Sequence, residues 1–345
     1  MTAGRRNLGP TITMAHGGGG KAMHDLIDEV FVRRFGATGG REDQARLPLA
    51  DMLARGDRLA FTTDSYVVDP LFFPGGDIGS LAVNGTINDL AMGGAIPLAL
   101  SCAVIVEEGL PIDVLDRVAE SMRRAADAAG VKIVTGDTKV VNRGAADKLF
   151  VNTAGIGVIG SGIDIRADRA CPGDAVLVSG FIGDHGATIL NARGELGLDA
   201  AIASDTQPLH ELVQAMLEAC ADIHCLRDAT RGGLASVLNE FARASQVRIV
   251  VDETQLPVRE EVRGVCAILG LDPLYFANEG KLVAVVPETA ARSVLEAMRT
   301  HPAGVDSTIL GEVHASPTAV VTLRSRFGGE RIVDMPIGEQ LPRIC

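Results

Sequence analysis

Two hydrophobic periods alternate along the chain. Between residues 58 and 68 the run Arg-Leu-Ala-Phe-Thr-Thr-Asp-Ser-Tyr-Val-Val is rich in β-formers and closes on Asp69-Pro70, which predicts a strand. Pro74-Gly75-Gly76 then reads as a turn, Asp77 as the cap of a helix over 78–92, and Gly93-Gly94 as its stop. A strand over 98–106, a helix opened by Pro111 and running to about 129, and strands over 131–135 and 149–159 follow. After Pro172-Gly173-Asp174 the alternation restarts. Strands are expected over 175–179, 247–251, 281–286, 306–313 and 318–324, with helices near 185–193, 207–220, 232–245, 258–269 and 288–300. Connections between strands are not uniformly helical, so α/β (α+β) domains with mixed sheets fit better than a doubly wound parallel sheet. Ahead of all this, Met14 to Lys21 reads Met-Ala-His-Gly-Gly-Gly-Gly-Lys and opens a helix on which Met23, Leu26, Ile27, Val30 and Phe31 share helical spacing. Backbone N–H groups there suit a phosphate, but the P-loop spacing is missing.

At 345 residues the chain exceeds the size at which one core stops growing, which divides it into a glycine-rich leader and helix (1–40), two domains (41–160 and 161–335) and a tail (336–345). With 47% hydrophobic residues, 3% aromatics and no Trp, both cores must be built from Val, Ile, Leu and Ala. The net charge of -12 argues against nucleic-acid and membrane-surface partners, and a polyanionic ligand would need bridging cations. Six scattered cysteines read as reduced thiols, and nothing at the N-terminus resembles a signal peptide, so a cytoplasmic protein is expected.

Acidic and amide residues recur at strand ends and turns: Asp64 in Thr-Thr-Asp-Ser-Tyr, Asn84, Asn88 and Asp89 along one helix, Asp137 in Thr-Gly-Asp-Thr-Lys, and Asp228 in Arg-Asp-Ala-Thr-Arg-Gly-Gly. Hard oxygens of this kind hold Mg²⁺ beside substrate phosphates, although each is equally a cap or turn residue. Lys139, two residues after Asp137 and read as sitting at a strand end, can neutralise phosphate or take a proton. Glu279, beside Gly280, is a candidate general base. Cys220, His224 and Cys225 have no second ligand pair at zinc spacing. The final stretch from Ile337 to Cys345, broken by Gly338 and Pro342, is expected to be a mobile segment ending on a thiol. By itself it is either a frayed terminus or a nucleophile.

The motifs taken together resemble a known family. Thr63-Asp64-Ser65-Tyr66, Asp69 to Gly76, Thr135 to Val141, Gly183 to Leu190, Arg227 to Gly233, Asn278 to Lys281 and the terminal Pro342-Arg343-Ile344-Cys345 are similar to the HypE family of hydrogenase expression/formation proteins. That family shares a superfamily with aminoimidazole ribonucleotide synthetase, selenophosphate synthetase and thiamine-monophosphate kinase, and the terminal tetrapeptide sets it apart. The resemblance implies two mixed-sheet domains of the aminoimidazole ribonucleotide synthetase type, the first binding ATP and forming a homodimer, plus a flexible tail. It also implies an ATP-dependent carbamoyl dehydratase. A HypF-type carbamoyltransferase would load Cys345, ATP with Mg²⁺ would convert S-carbamoyl to S-cyano, and a HypC–HypD complex would carry the cyanide to the iron of a [NiFe]-hydrogenase. By resemblance Cys345, Lys139 and Glu279 are catalytic. Asp64, Asn84, Asn88, Asp89, Gly136, Asp137, Thr138 and Asp228 are the ATP set, with Asp64, Asp89, Asp137 and Asp228 on the metal. Two rivals stand beside it: a superfamily kinase or synthetase acting on a free small molecule, and a carrier that binds ATP only structurally.

Overall fold

A computed structural model describes residues 8–36, 42–194, 201–338 and 344–345. Strands β1 (Arg58–Tyr66), β2 (Ala95–Glu107), β3 (Lys132–Val141) and β4 (Leu149–Ile159) form one sheet in the order β1-β4-β2-β3. Only the β2–β3 pair is parallel, and helix α2 (Ile112–Ala128) supplies the crossover that a parallel pair requires. Helix α1 (Ile78–Met92) starts where expected because the Asp77 side chain accepts the N–H groups of Gly79 (2.8 Å) and Ser80 (3.1 Å). It is buried nearly all round, which is why its sequence lacks a polar stripe. Helix α2 shows the stripe, with Ile112, Leu115, Val118, Ala119, Met122 and Ala126 turned inward.

The second domain holds a seven-stranded sheet. Its strands are β5 (Ala175–Val178), β6 (Cys225–Asp228), β7 (Arg248–Asp252), β8 (Leu282–Val286), β9 (Thr308–His314), β10 (Val320–Arg324) and β11 (Glu330–Ile332), in the order β11-β10-β7-β9-β5-β8-β6. Only β7 and β10 run parallel. Central strands β5 and β8 are buried on both faces, so their sequences are unbroken apolar runs. Leu177 and Ala284 look towards helices α4 (His210–Ala219) and α7 (Glu288–Thr300), and α1 ends in that same cluster with Ala91 and Met92. Val178 and Val283 look the other way, into the cluster of α3 (Asp184–Ala192), α5 (Gly233–Ser245) and α6 (Glu260–Leu269). No helix among the described residues is long and apolar enough to cross a membrane.

Two departures from the sequence reading matter. Strand β3 continues past Thr135 to Val141, so Asp137 and Lys139 stand within a strand and not at its end. Gly136, Asp137 and Lys139 are poor β-formers, but pairing with Cys102, Ala103 and Ile105 of β2 overrides propensity. A Cβ on Gly136 would lie 2.1 Å from the Cys102 carbonyl oxygen, so glycine is what permits the ladder there. Residues 225–228, outside the expected strands, form edge strand β6.

One buried amide helps to fasten the domains. Asn88 is 1% exposed; its Nδ2 donates to the carbonyls of Gln207 (3.1 Å) and Glu279 (3.4 Å), and its Oδ1 accepts the Leu209 N–H at 2.7 Å. Buried backbone groups left unpaired cost about 1–3 kcal/mol each. Asn88→Ala is therefore expected to lower stability by about 2–4 kcal/mol, seen as a drop of several degrees in Tm by calorimetry, and an unchanged Tm would contradict the clasp.

Candidate active site at the domain junction

Four carboxylates from four separate segments meet where the domains join. Asp64 lies near the end of β1, Asp89 in the last turns of α1, Asp228 at the end of β6, and Glu279 just before β8. Thr62 donates to Asp89 Oδ2 at 2.9 Å. Glu279 is 2% exposed, its N–H donates to Asp205 Oδ1 at 3.0 Å, and its Oε1 has no hydrogen-bond partner. Gly280 follows because a Cβ there would sit 1.9 Å from the Asp205 carbonyl oxygen.

Electrostatics register the crowding. Burial, then the charge on Asp89, pushes Asp228 up to about 7. Burial also raises Asp89, with Asp64 adding to it, and Glu279 is driven well above the usual carboxylate range by burial and then by Asp228, Asp205 and Asp64. Arg227 and Arg231 offset this only in part. Hard oxygens spread in this way suit Mg²⁺ held jointly by one or two carboxylates and by substrate phosphates.

The last residues close the site. Residues 339–343 lie outside the described residues, and beyond them the chain end is seated. Ile344 is 4% exposed, and its carbonyl oxygen lies 2.7 Å from His185 Nε2. Cys345 is half-buried, with its thiol close enough to the Glu279 carboxylate to feel its charge. Burial, then Glu279, holds the thiol well above its usual range, with Arg231 pulling the other way.

Within one chain Asp64, Asp89, Asp228, Glu279 and Cys345 come together, and Asn84 is near them on α1 with its Nδ2 3.3 Å from Thr206 Oγ1. Asp137 and Lys139 do not join them. They stand on β3, at the opposite edge of the sheet from β1, where Lys139 Nζ binds both Asp137 oxygens at 2.8 and 2.6 Å in the open. That pairing lowers the Asp137 carboxyl. Gly136 is spent on β2 and Thr138 is buried, while the Asn88 amide is taken up by the domain clasp, which leaves it no free donor for a nucleotide. Sequence reasoning missed Asp205, Arg231 and the role of His185. Arg231 and His185 lay inside quoted motifs, whereas Asp205 sits in a loop with no local signal.

Among the described residues, the one group of three metal-capable side chains whose ligand atoms lie within 4.8 Å of one another is Cys171, Asp174 and His224, not the trio Cys220, His224 and Cys225, and no three of the cleft carboxylates come that close. Asp174 Oδ2 accepts the Cys171 N–H at 2.7 Å and lies 2.7 Å from His224 Nδ1, so the carboxylate already serves to fasten the Cys-Pro-Gly-Asp turn.

Residues 41–159 match the N-terminal domain, and residues 171–324 the C-terminal domain, of AIR synthase related proteins. The carbamoyl dehydratase HypE of Rhodobacter capsulatus is 57% identical over 334 residues, which is 97% of this chain and 98% of that protein. The chain belongs to the HypE carbamoyl dehydratase family. A crystal structure of hydrogenase maturation protein HypE in complex with ATP matches with a TM-score of 0.91 at 50% identity, covering 97% of this chain and all of that one (100%). A HypE–HypF complex contains a chain that matches with a TM-score of 0.79 at 47% identity, over 90% of this chain and 99% of that one. The resemblance drawn from the motifs therefore holds, and with it the two mixed-sheet domains of HypE and its relatives.

The acidic cleft makes the stability of this chain depend on pH in a defined direction. Asp228 titrates near 7 when folded and near ~3.9 when unfolded, so between those values the folded state binds the extra proton and stability is lost as pH rises. Relative to Asp228→Asn, the unmodified protein is expected to lose on the order of 1–2 kcal/mol between pH 5 and pH 8, after discounting for solvent access. Millimolar Mg²⁺ should shrink that loss. Parallel melting curves for the two proteins across this range would sink the account.

Proposed function

We propose that this chain is an ATP-dependent carbamoyl dehydratase whose substrate is its own Cys345. The observation that carries the reading is the seated chain end, with Ile344 buried and held by His185 and the Cys345 thiol within reach of the Glu279 charge. A HypF-type carbamoyltransferase loads the thiol, a partnership supported by the related HypE–HypF complex. The carbamoyl oxygen is a poor leaving group, and transfer of the γ-phosphoryl group of ATP to it makes its departure feasible. Removal of the two nitrogen protons then gives RS–C≡N, and the carbamoyl oxygen leaves in phosphate, so RS–CO–NH₂ and ATP become RS–CN, ADP and phosphate. Glu279 suits the proton-removing role, because burial and neighbouring carboxylates raise its proton affinity and so make its carboxylate a stronger base than an exposed one. Asp64, Asp89 and Asp228 would hold Mg²⁺, which supplies charge neutralisation for the phosphates when bound.

Lys139 and Asp137 act, in this reading, from a second copy. The outer face of the first sheet exposes Leu59 (62%), Phe61 (70%) and Ile105 (41%), an apolar surface that supports the homodimer. Thr138 is buried against the inner side, so alternation turns Asp137 and Lys139 to that outer face, towards a partner's cleft. The reaction is placed in the cytoplasm, where cysteines stay reduced, in keeping with six free thiols. A HypC–HypD complex takes the cyanide onward to hydrogenase iron.

Intact mass tests the proposal directly. With the carbamoyltransferase, carbamoyl phosphate and ATP, the chain should gain about 43 Da and then hold about 25 Da, by the covalent chemistry proposed. Cys345→Ala should gain neither. Glu279→Gln should keep the first adduct and form the second at least ~100-fold more slowly. Partner-stimulated ADP release by Cys345→Ala at the unmodified rate would refute the assignment.

A further inference from the structure

His185 opens α3 in the sequence Gly-Asp-His-Gly and is completely buried, at 0% exposure. Its ring stands edge-on to Phe73 of the first domain, with centroids 5.6 Å apart and planes at 83°. Both ring nitrogens are engaged. Nε2 lies 2.7 Å from the Ile344 carbonyl oxygen and Nδ1 lies 2.8 Å from Ser204 Oγ. A carbonyl offers only lone pairs, so Nε2 carries the hydrogen and donates. Burial holds the ring neutral, with its pKa lowered to about 4, so Nδ1 is bare and accepts the Ser204 hydroxyl proton. Ser204 is itself fixed: its Oγ accepts the Thr206 N–H at 3.2 Å, and its N–H donates to Pro74 O at 2.8 Å. One chain of hydrogen bonds thus runs from the first domain, through Ser204 and the imidazole, to the peptide that carries Cys345.

A ring with no free nitrogen is no acid or base for Cys345, one residue further on. We propose that His185, backed by Ser204, is a positioning residue that latches the Ile344 carbonyl and so holds the carbamoylated Cys345 against Glu279. The latch sets two half-reactions against each other. Dehydration needs the tail seated, whereas a carbamoyltransferase needs Cys345 in reach, and the seated thiol is half-buried against Glu279. The inference rests on Cys345 being the reacting residue, so one arm of its test needs neither ATP nor partner.

That arm is the rate of Cys345 alkylation by iodoacetamide, read on the terminal peptide by mass so that Cys171 and Cys220 do not interfere. His185→Leu should raise it ~tenfold or more by freeing the tail. In single turnover His185→Leu should slow conversion of the 43 Da adduct to the 25 Da adduct by ~tenfold or more, without slowing formation of the first. His185→Gln, whose amide can still donate to the carbonyl, should restore both readouts substantially. Ser204→Ala, which leaves the ring in place, should move both in the same direction by less and carries the test if His185→Leu does not fold. Unchanged Cys345 alkylation in folded His185→Leu or Ser204→Ala would overturn the latch. So would a fall in both half-reactions in proportion to lost folded protein, without rescue by glutamine. Faster alkylation with no adduct in any protein would uphold the latch and remove the dehydratase reading instead.

Discussion

Glu279 is 2% exposed and shares its cleft with Asp64, Asp205 and Asp228, so each negative charge there raises the cost of the next. Much of the architecture serves to hold that arrangement. Asp64 and Asp89 come from the first domain and Asp228 and Glu279 from the second, so the cluster exists only while the domains stay together. The Asn88 amide does part of that holding, on the same helix that carries Asp89 and with the Glu279 carbonyl as one of its acceptors. Structural fastening and the charged site therefore rest on consecutive residues of α1. A cluster whose members hold off one another's ionisation is poised to accept cations and protons, the two things that phosphoryl transfer followed by dehydration demands.

Making the reacting group part of the chain changes the energetics of the step. A free small molecule would lose translational and rotational freedom on binding, whereas the tail is already attached and needs only to be seated. The seat is built from a buried isoleucine side chain, a carbonyl held by a neutral imidazole, and a thiol against a carboxylate. Unmodified, the thiol is held protonated there by burial and by Glu279, so the docked position suits dehydration and not nucleophilic attack. Carbamoylation and dehydration thus make opposite demands on the same two residues.

Most secondary elements were legible along the chain, and the reasons are local. Asp77 and Gly93 bracket α1, the apolar stripe of α2 has helical period, and the unbroken run at 282–286 marks a strand buried on both faces. The motif residues that gather at the domain junction were legible too, as was the terminal cysteine. Strand β3 was cut short at Thr135 because Gly, Asp and Lys weaken β-propensity, and pairing with β2 outweighs it.

The sequence by itself determined the elements, the chemical types gathered at their ends and the family, because capping, periodicity and motif spacing act over a few residues. Tertiary structure alone decided which carboxylates meet, since Asn88 and the Glu279 carbonyl touch across 191 positions. It also separated Asp137 and Lys139 from Cys345, because sheet order puts β3 and β1 on opposite edges. And it alone made His185 the partner of Ile344, because two ring nitrogens can be satisfied only by groups that the closed domains and the seated tail bring within 3 Å, here 2.8 and 2.7 Å.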